Sequence, residues 1–358
     1  MTQPTQPASE FLSHHRIALL TDGYSTPFLA KTAISMLRYR TDDIAAVIDR
    51  TATAQTADEL FGVGGEIPVV SELSEVPDAD ALYIGIAPPG GKLPEEWQPI
   101  VRSAIRRKLD VVSGLHDFLT DNDEFVELLA HHGGRLIDVR KNSFRNTATG
   151  AKFRPGSLRI HAVGHDCSVG KMVTMVELER ALKEQGHDAK FLATGQTGIM
   201  VSGAGVPIDC VIADFINGAA ENLVLENQEH DILLVEGQGS VAHPAFSGVT
   251  VGLLHGCAPD GLIFCYEAGR KEVKGLDEVP LVPILQQMLV AEAIANLRHP
   301  CKVIGAAVNT RTLTEEEAQE EIIRITDETG LPACDVYRDG PEKLVEACLN
   351  LRKGVVGS

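Results

Sequence analysis

Residues 164–172 read Gly164-His165-Asp166-Cys167-Ser168-Val169-Gly170-Lys171-Met172, a glycine-rich run closing on Gly-Lys in the manner of a phosphate-cradling P-loop. The position after the lysine departs from that pattern. A Ser or Thr hydroxyl ordinarily stands there and ligates the Mg²⁺ of a nucleoside triphosphate, whereas Met172 brings no oxygen. The run can hold phosphate without the usual metal.

The apolar stretch Leu158 to Val163 before the loop predicts a strand. After Lys171 the sequence predicts a helix, with Met172, Met175, Leu178 and Leu182 on one face and Gly186 as a left-handed stop. Backbone N–H groups at that helix start, the positive end of its dipole and Lys171 would face an anion. The plainer alternative is a glycine-rich strand-to-helix turn that binds nothing.

On the C-terminal side, Ala189 to Leu192 predicts a strand running into Ala193-Thr194-Gly195-Gln196-Thr197-Gly198, read as a loop. Its place at a strand's carboxyl end makes Gln196 and Thr197 candidate substrate contacts. Asp209 and Asp214 stand among apolar residues; Asp214 is a candidate proton acceptor, with a helix cap as its structural alternative. Asp231 to Glu236 predicts a buried strand ending in an acid, followed by the tight turn Gly237 to Ser240. Glu236 would point toward the loop as a base or a metal ligand, because a carboxylate ending a buried strand is costly without a task. His243 is a second candidate base, Ser240 a candidate contact, and the adjacent cations Arg270 and Lys271 could meet an acidic substrate or a cofactor phosphate. Strands at 261–265 and 303–308, a helix at 314–326 and a final helix at 341–351 complete this half.

The N-terminal half alternates strands at 17–20, 44–48, 81–86, 110–112 and 135–138 with helices at 30–39, 95–107 and 121–132. That alternation predicts a parallel, Rossmann-like sheet. Asp49 stands where a dinucleotide-binding fold places its ribose-binding acid, but the first turn, Thr21 to Thr26, has one glycine where that fingerprint has three. The polar run Ser143 to Ser157 reads as the linker. The expected architecture is therefore α/β: a flexible tail over 1–13, a Rossmann-like domain over 14–150, and a P-loop NTPase-like domain over 151–358.

The chain of 358 residues carries a formal charge of -18. This argues against a nucleic-acid surface, which needs clustered Lys and Arg. No run of apolar residues is long enough to cross a bilayer and the N-terminus lacks a signal-peptide pattern, so a cytoplasmic protein acting on small molecules, as a homo-oligomer, is expected. Seven scattered cysteines form neither a zinc ribbon nor a disulfide framework; Cys167, at a helix start, is the one to watch. No metal site is expected.

Together, GHDCSVGKM, ATGQTGIM, VEGQGS and CAPDG at residues 257–261 resemble the D-glutamate N-acetyltransferases (the DgcN family) across nearly the whole chain, with a more distant similarity to dethiobiotin synthetase. The resemblance implies transfer of an acetyl group from acetyl-CoA to the amine of a D-amino acid, D-glutamate in the best case. Residues Gly164, His165, Asp166, Cys167, Ser168, Val169, Gly170, Lys171 and Met172 would then grip the CoA diphosphate. No phosphoryl group leaves in such a reaction, so Mg²⁺ is not required at that point. Glu236, His243 and Asp214, in that order, are the candidate bases, and Arg270 or Lys271 would receive the substrate carboxylate. Three alternatives remain: an ATP-dependent carboxylase or ligase in which Glu236 and Thr174 hold Mg²⁺, an NAD-dependent epimerase, and a nucleotide-sensing module without turnover.

Overall fold

A computed structural model describes residues 13–276 and 278–356; the tail expected over 1–13 lies, apart from Ser13, outside them. The chain divides into two compact units, Met1–Asn142 with Gln196–Pro207, and Ser143–Gly195 with Ile208–Ser358. The division falls at the start of the linker run instead of near residue 150, and a segment after Gly195 belongs to the first unit.

In chain order the elements up to the linker are β1 (Ile17–Leu20), α1 (Lys31–Tyr39), β2 (Ile44–Ile48), α2 (Ala57–Phe61), β3 (Val69–Val70), β4 (Ala81–Ile84), α3 (Gln98–Arg106), β5 (Asp110–Ser113), α4 (Asp123–His132) and β6 (Leu136–Asp138). The strands form one parallel sheet in the order β3-β2-β1-β4-β5-β6. Every residue of β1, β2 and β4 is buried, as the unbroken apolar runs require of strands covered on both faces. The two-residue β3 is too short to show a period in the sequence, and α2 is little longer. Trp97 is fully buried, and its indole N–H finds the Asp22 carbonyl at 3.0 Å.

Asp49 does end β2, but its carboxylate is spent on the protein. It accepts from the backbone of Gly23 (3.1 Å) and Thr51 (2.8 Å) and from the hydroxyls of Thr51 and Ser25. These bonds hold it below the usual carboxylate range against the opposing effect of burial. The acid staples the first turn in place of a ribose.

The second unit runs β7 (Leu158–Gly164), α5 (Lys171–Glu184) and β8 (Ala189–Leu192); α6 (Gln196–Ser202) belongs to the first unit; then follow α7 (Ile216–Leu225), β9 (Ile232–Val235), α8 (Ser247–Cys257), β10 (Gly261–Glu267), α9 (Ile284–Asn296), β11 (Lys302–Asn309), α10 (Glu315–Thr329), β12 (Ala333–Cys334) and α11 (Glu342–Val356). Its six strands are again parallel, in the order β12-β11-β10-β7-β9-β8. The chain leaves β7 in one direction across the sheet and later returns to its other side, so β7 lies at a switch point, where open α/β sheets bind ligands beyond the strands' carboxyl ends. The CAPDG stretch works at the opposite end of the central strands, where Asp260 takes the Arg159 backbone N–H (2.7 Å) and guanidinium (3.0 Å) and so anchors the start of β7. Among the described residues no helix is long and apolar enough to cross a membrane.

Candidate functional site

Five residues separate Gly164 from Gly170, one more than the common P-loop spacing. The geometry absorbs the addition. Gly164 is still the last residue of β7, and Ser168 adopts a positive φ of 55°, a conformation a non-glycine residue rarely takes outside functional loops. Among the described residues, the backbone N–H groups of Ser168, Val169, Gly170, Lys171 and Met172 meet no acceptor. A row of bare donors at the start of a 14-residue helix is an anion cradle. Lys171 is buried and folds back so that Nζ donates to the Asp166 carbonyl at 2.7 Å. Burial lowers its pKa from the ordinary lysine range, opposed by Cys167, Cys265, Asp166 and Glu236. An incoming anion would offer it a better partner than a carbonyl.

The residues before the cradle serve it from behind. His165 is buried, accepts the Glu267 N–H at Nε2 (3.1 Å), and is pushed down to about 3 by burial and by Arg270. It is a neutral brace between the loop and the end of β10. Asp166 is fully buried and accepts from the backbone of Cys167 (2.6 Å) and Lys274 (2.8 Å) and from Arg270 (2.8 Å). Burial alone would raise its pKa, but these donors outweigh it and lower it. Arg270 also reaches the Cys167 carbonyl (2.9 Å) and Glu267 (2.9 Å). The guanidinium therefore clamps the P-loop to the strand end, which removes it as the receiver of a substrate carboxylate. Lys271 beside it is exposed.

Glu236 directly follows β9, next to the loop strand. It is 4% exposed, and Oε2 accepts the backbone N–H groups of Thr194 (2.8 Å) and Gly195 (2.9 Å). Burial pushes it up to about 7, with Asp209 adding to the rise while those two N–H groups and Lys171 oppose it. A carboxyl poised near neutrality can exchange a proton at working pH, and Oε1 is the oxygen left for it. Gly237 follows because nothing larger fits: a Cβ there would run into the Ala162 carbonyl and the Lys171 stem. The N–H groups of Gly237, Gln238 and Gly239 meet no acceptor among the described residues. Ser240 is fully buried and donates to Gln287 (3.1 Å), so its hydroxyl braces the turn.

His243 lies at the mouth of the loop, buried, with Nε2 3.7 Å from Asp166 Oδ1 and without a hydrogen-bond partner. Its Nδ1 accepts the Ala245 N–H at 3.1 Å, so the neutral ring carries its proton on Nε2. Burial and Lys171 depress its pKa against the pull of Asp166. That arrangement makes His243 a donor toward the loop and unfits it as a base at Nε2. The same proton bears on the cluster Asp166, Cys167 and His243, whose ligand atoms lie within 4.8 Å of one another: a metal would need the lone pair that Nε2 no longer has.

Three other expected contacts take different places. Asp214 is exposed on a short 3₁₀ turn before α7 and, among the described residues, caps neither the turn nor the helix. Its apolar neighbours in sequence gave a false impression of burial. The stretch read as a loop at 196–198 is the start of α6, packed in the first unit: Gln196 accepts from Arg140 (2.8 Å), and the Thr197 and Thr32 hydroxyls share a bond (2.9 Å). Thr174, the Mg²⁺ ligand of the ligase alternative, donates its hydroxyl hydrogen to the Gly170 carbonyl at 3.0 Å one turn back. Thr194 and Gly195 were undervalued in the sequence: their backbone N–H groups hold the Glu236 carboxyl, and the Thr194 hydroxyl donates to the Glu236 carbonyl at 2.9 Å.

A parallel sheet with a phosphate loop at its switch point, preceded by a Rossmann-like sheet, defines a two-unit P-loop protein. Comparison agrees with both halves: residues 146–345 match the P-loop domain, and residues 50–142 the Rossmann-like domain, of the domain of unknown function DUF1611. The chain belongs to this family. It is similar to a D-glutamate N-acetyltransferase of a Pseudoalteromonas species, 44% identical over 75% of this chain and 80% of that one, and to the enzyme of the same name from Tritonibacter scottomollicae, 38% identical over 89% and 93%. The crystal structure of a DUF1611 protein from Anabaena variabilis superposes with a TM-score of 0.88 at 36% identity, covering 94% of this chain and 99% of that one.

Proposed function

We propose that the protein transfers the acetyl group of acetyl-CoA to the amine of a D-amino acid, D-glutamate foremost, in the cytoplasm as part of D-amino acid breakdown. The observation that carries the reading is a carboxyl poised near pH 7, Glu236, beside an anion cradle that lacks a metal-binding hydroxyl. The names of the two relatives support the same activity. The bare N–H groups of residues 168–172 and Lys171 are suited to the CoA diphosphate, which stays intact throughout.

The amino acid arrives as an ammonium and must lose a proton before it can attack. Glu236 Oε1 takes that proton. The nitrogen lone pair then adds to the thioester carbonyl, the carbon–sulfur bond breaks, and the second proton shed by the nitrogen passes to the departing sulfur, so that CoA leaves as its thiol. The free N–H groups of Gly237, Gln238 and Gly239 are the donors available for the oxyanion. With Arg270 committed to the P-loop, Lys271 is the cation left for the substrate carboxylate.

The test is incubation with acetyl-CoA and a panel of D- and L-amino acids while free thiol is followed. Thiol release with acidic D-amino acids is expected; none with any of them overturns the proposal. Lys171→Ala should weaken acetyl-CoA binding at least tenfold by calorimetry, and unchanged binding would remove the cradle from the donor site.

A further inference from the structure

His243 Nε2 is a buried donor with nothing to donate to, and Phe246 is a large aromatic ring left 51% exposed. The two are stacked, with ring centroids 4.6 Å apart and planes tilted by 37°. They share a turn that has little freedom. His243 N–H donates to the Ser240 carbonyl (3.0 Å), Ser247 N–H to the His243 carbonyl (3.2 Å), and the Thr250 hydroxyl to the Gln238 carbonyl (2.7 Å). Gly239, at φ 66°, lets the Phe246 carbonyl approach so closely that a Cβ would collide with it. An exposed ring held this firmly, one stacked side chain away from an anion cradle, is shaped for a flat partner that also carries phosphate.

We propose that the turn from Ser240 to Phe246 is the second wall of the donor site, with His243 Nε2–H donating to a phosphate oxygen and the Phe246 face stacking on an adenine. The proposal rests on the reading of acetyl-CoA as donor and assigns the nucleotide end of that molecule to this turn. A donor group needs no charge to bind a phosphate oxygen, so a neutral imidazole suffices, and the fixed tautomer prevents it from competing for the proton Glu236 removes. Stacking needs a flat aromatic face but no hydrogen-bond match, so one aromatic ring can stand in for another.

The experiment compares CoA with 4′-phosphopantetheine, which keeps the arm and lacks the nucleotide. Binding of each is measured by calorimetry to the full-length wild type, Phe246→Ala and Phe246→Trp. Phe246→Ala is expected to weaken CoA about tenfold, to leave phosphopantetheine unchanged, and to be rescued by Phe246→Trp. His243→Ala should weaken CoA as well. Equal effects of Phe246→Ala on both ligands, or no effect on CoA, would overturn the proposal. Turnover is read separately. CoA binding through Phe246 without acetyl transfer to any D-amino acid would leave this wall standing and remove the activity, whereas transfer with CoA binding indifferent to Phe246 would do the reverse.

Discussion

Glu236→Gln should stabilise the protein at alkaline pH while abolishing its activity. Burial raises the carboxyl from its ordinary value to about 7, so holding it ionised at pH 8 costs the folded state about 3 kcal/mol. An acid whose folded pKa lies above its unfolded one takes up a proton on folding. Its contribution to stability therefore falls as pH climbs from about 4.5 to about 7 and is level beyond. Glutamine removes that cost and keeps a carbonyl oxygen for Thr194 and Gly195, as the protonated acid does; the stronger bonds those N–H groups make to the carboxylate are already contained in the raised value. The net expectation is a gain of about 3 kcal/mol at pH 8, on the order of 8 °C in Tm for a domain of this size, shrinking to under about 1 kcal/mol at pH 5. Thermal unfolding of wild type and variant at the two pH values measures it. In the same variant, kcat/KM should fall by at least about a hundredfold. A stability difference that does not change between pH 5 and pH 8 would refute the buried, raised carboxyl.

Other expectations follow from how the remaining charges are placed. Arg270→Ala should lower both Tm and CoA affinity, because it frees Asp166 inside the loop, whereas Lys271→Ala should leave Tm unchanged and raise the KM for D-glutamate severalfold; steady-state kinetics and calorimetry separate the two. His161 is fully buried with neither ring nitrogen bonded, and burial, with Lys171, pushes it down to about 3. Its unfolded form takes a proton first, so stability should fall as pH drops from about 6.5 toward 3, by up to about 1.4 kcal/mol per pH unit; His161→Leu should flatten that slope in urea denaturation. Leu285 and Leu289 are exposed along α9 and Leu297 just past its end, with no ionised side chain among the exposed residues between them, a stripe that a second copy can meet despite a charge of -18. Sedimentation should show self-association that Leu289→Asp weakens.

Much of the fold is legible because buried parallel strands leave continuous apolar runs. Ile44–Ile48 and Ala189–Leu192 have the predicted ends, and Gly186 has its left-handed φ of 82°. The errors share a cause. Gln196 to Ser202 carries a glycine and two hydroxyls that suggest a turn, yet packing in the first unit imposes a helix. Asp214 lies among apolar neighbours in sequence that do not enclose it in space.

The sequence by itself determined the alternation of strands and helices in both halves, though not α2, β3, α6, α8 or α9, and it determined the phosphate loop, the acid following β9 and, through several separated motifs, the family. Spacing encodes these, since a period or a glycine acts on its own neighbourhood. Only the tertiary structure decided which polar groups are already spent. Arg270 meets Asp166 across 104 residues and Thr194 meets Glu236 across 42, and no local pattern records such partners. Met172 was readable as a missing metal ligand; that the loop beside it holds a row of unclaimed N–H donors, with the proton of His243 turned toward it, depends on where the chain returns in space.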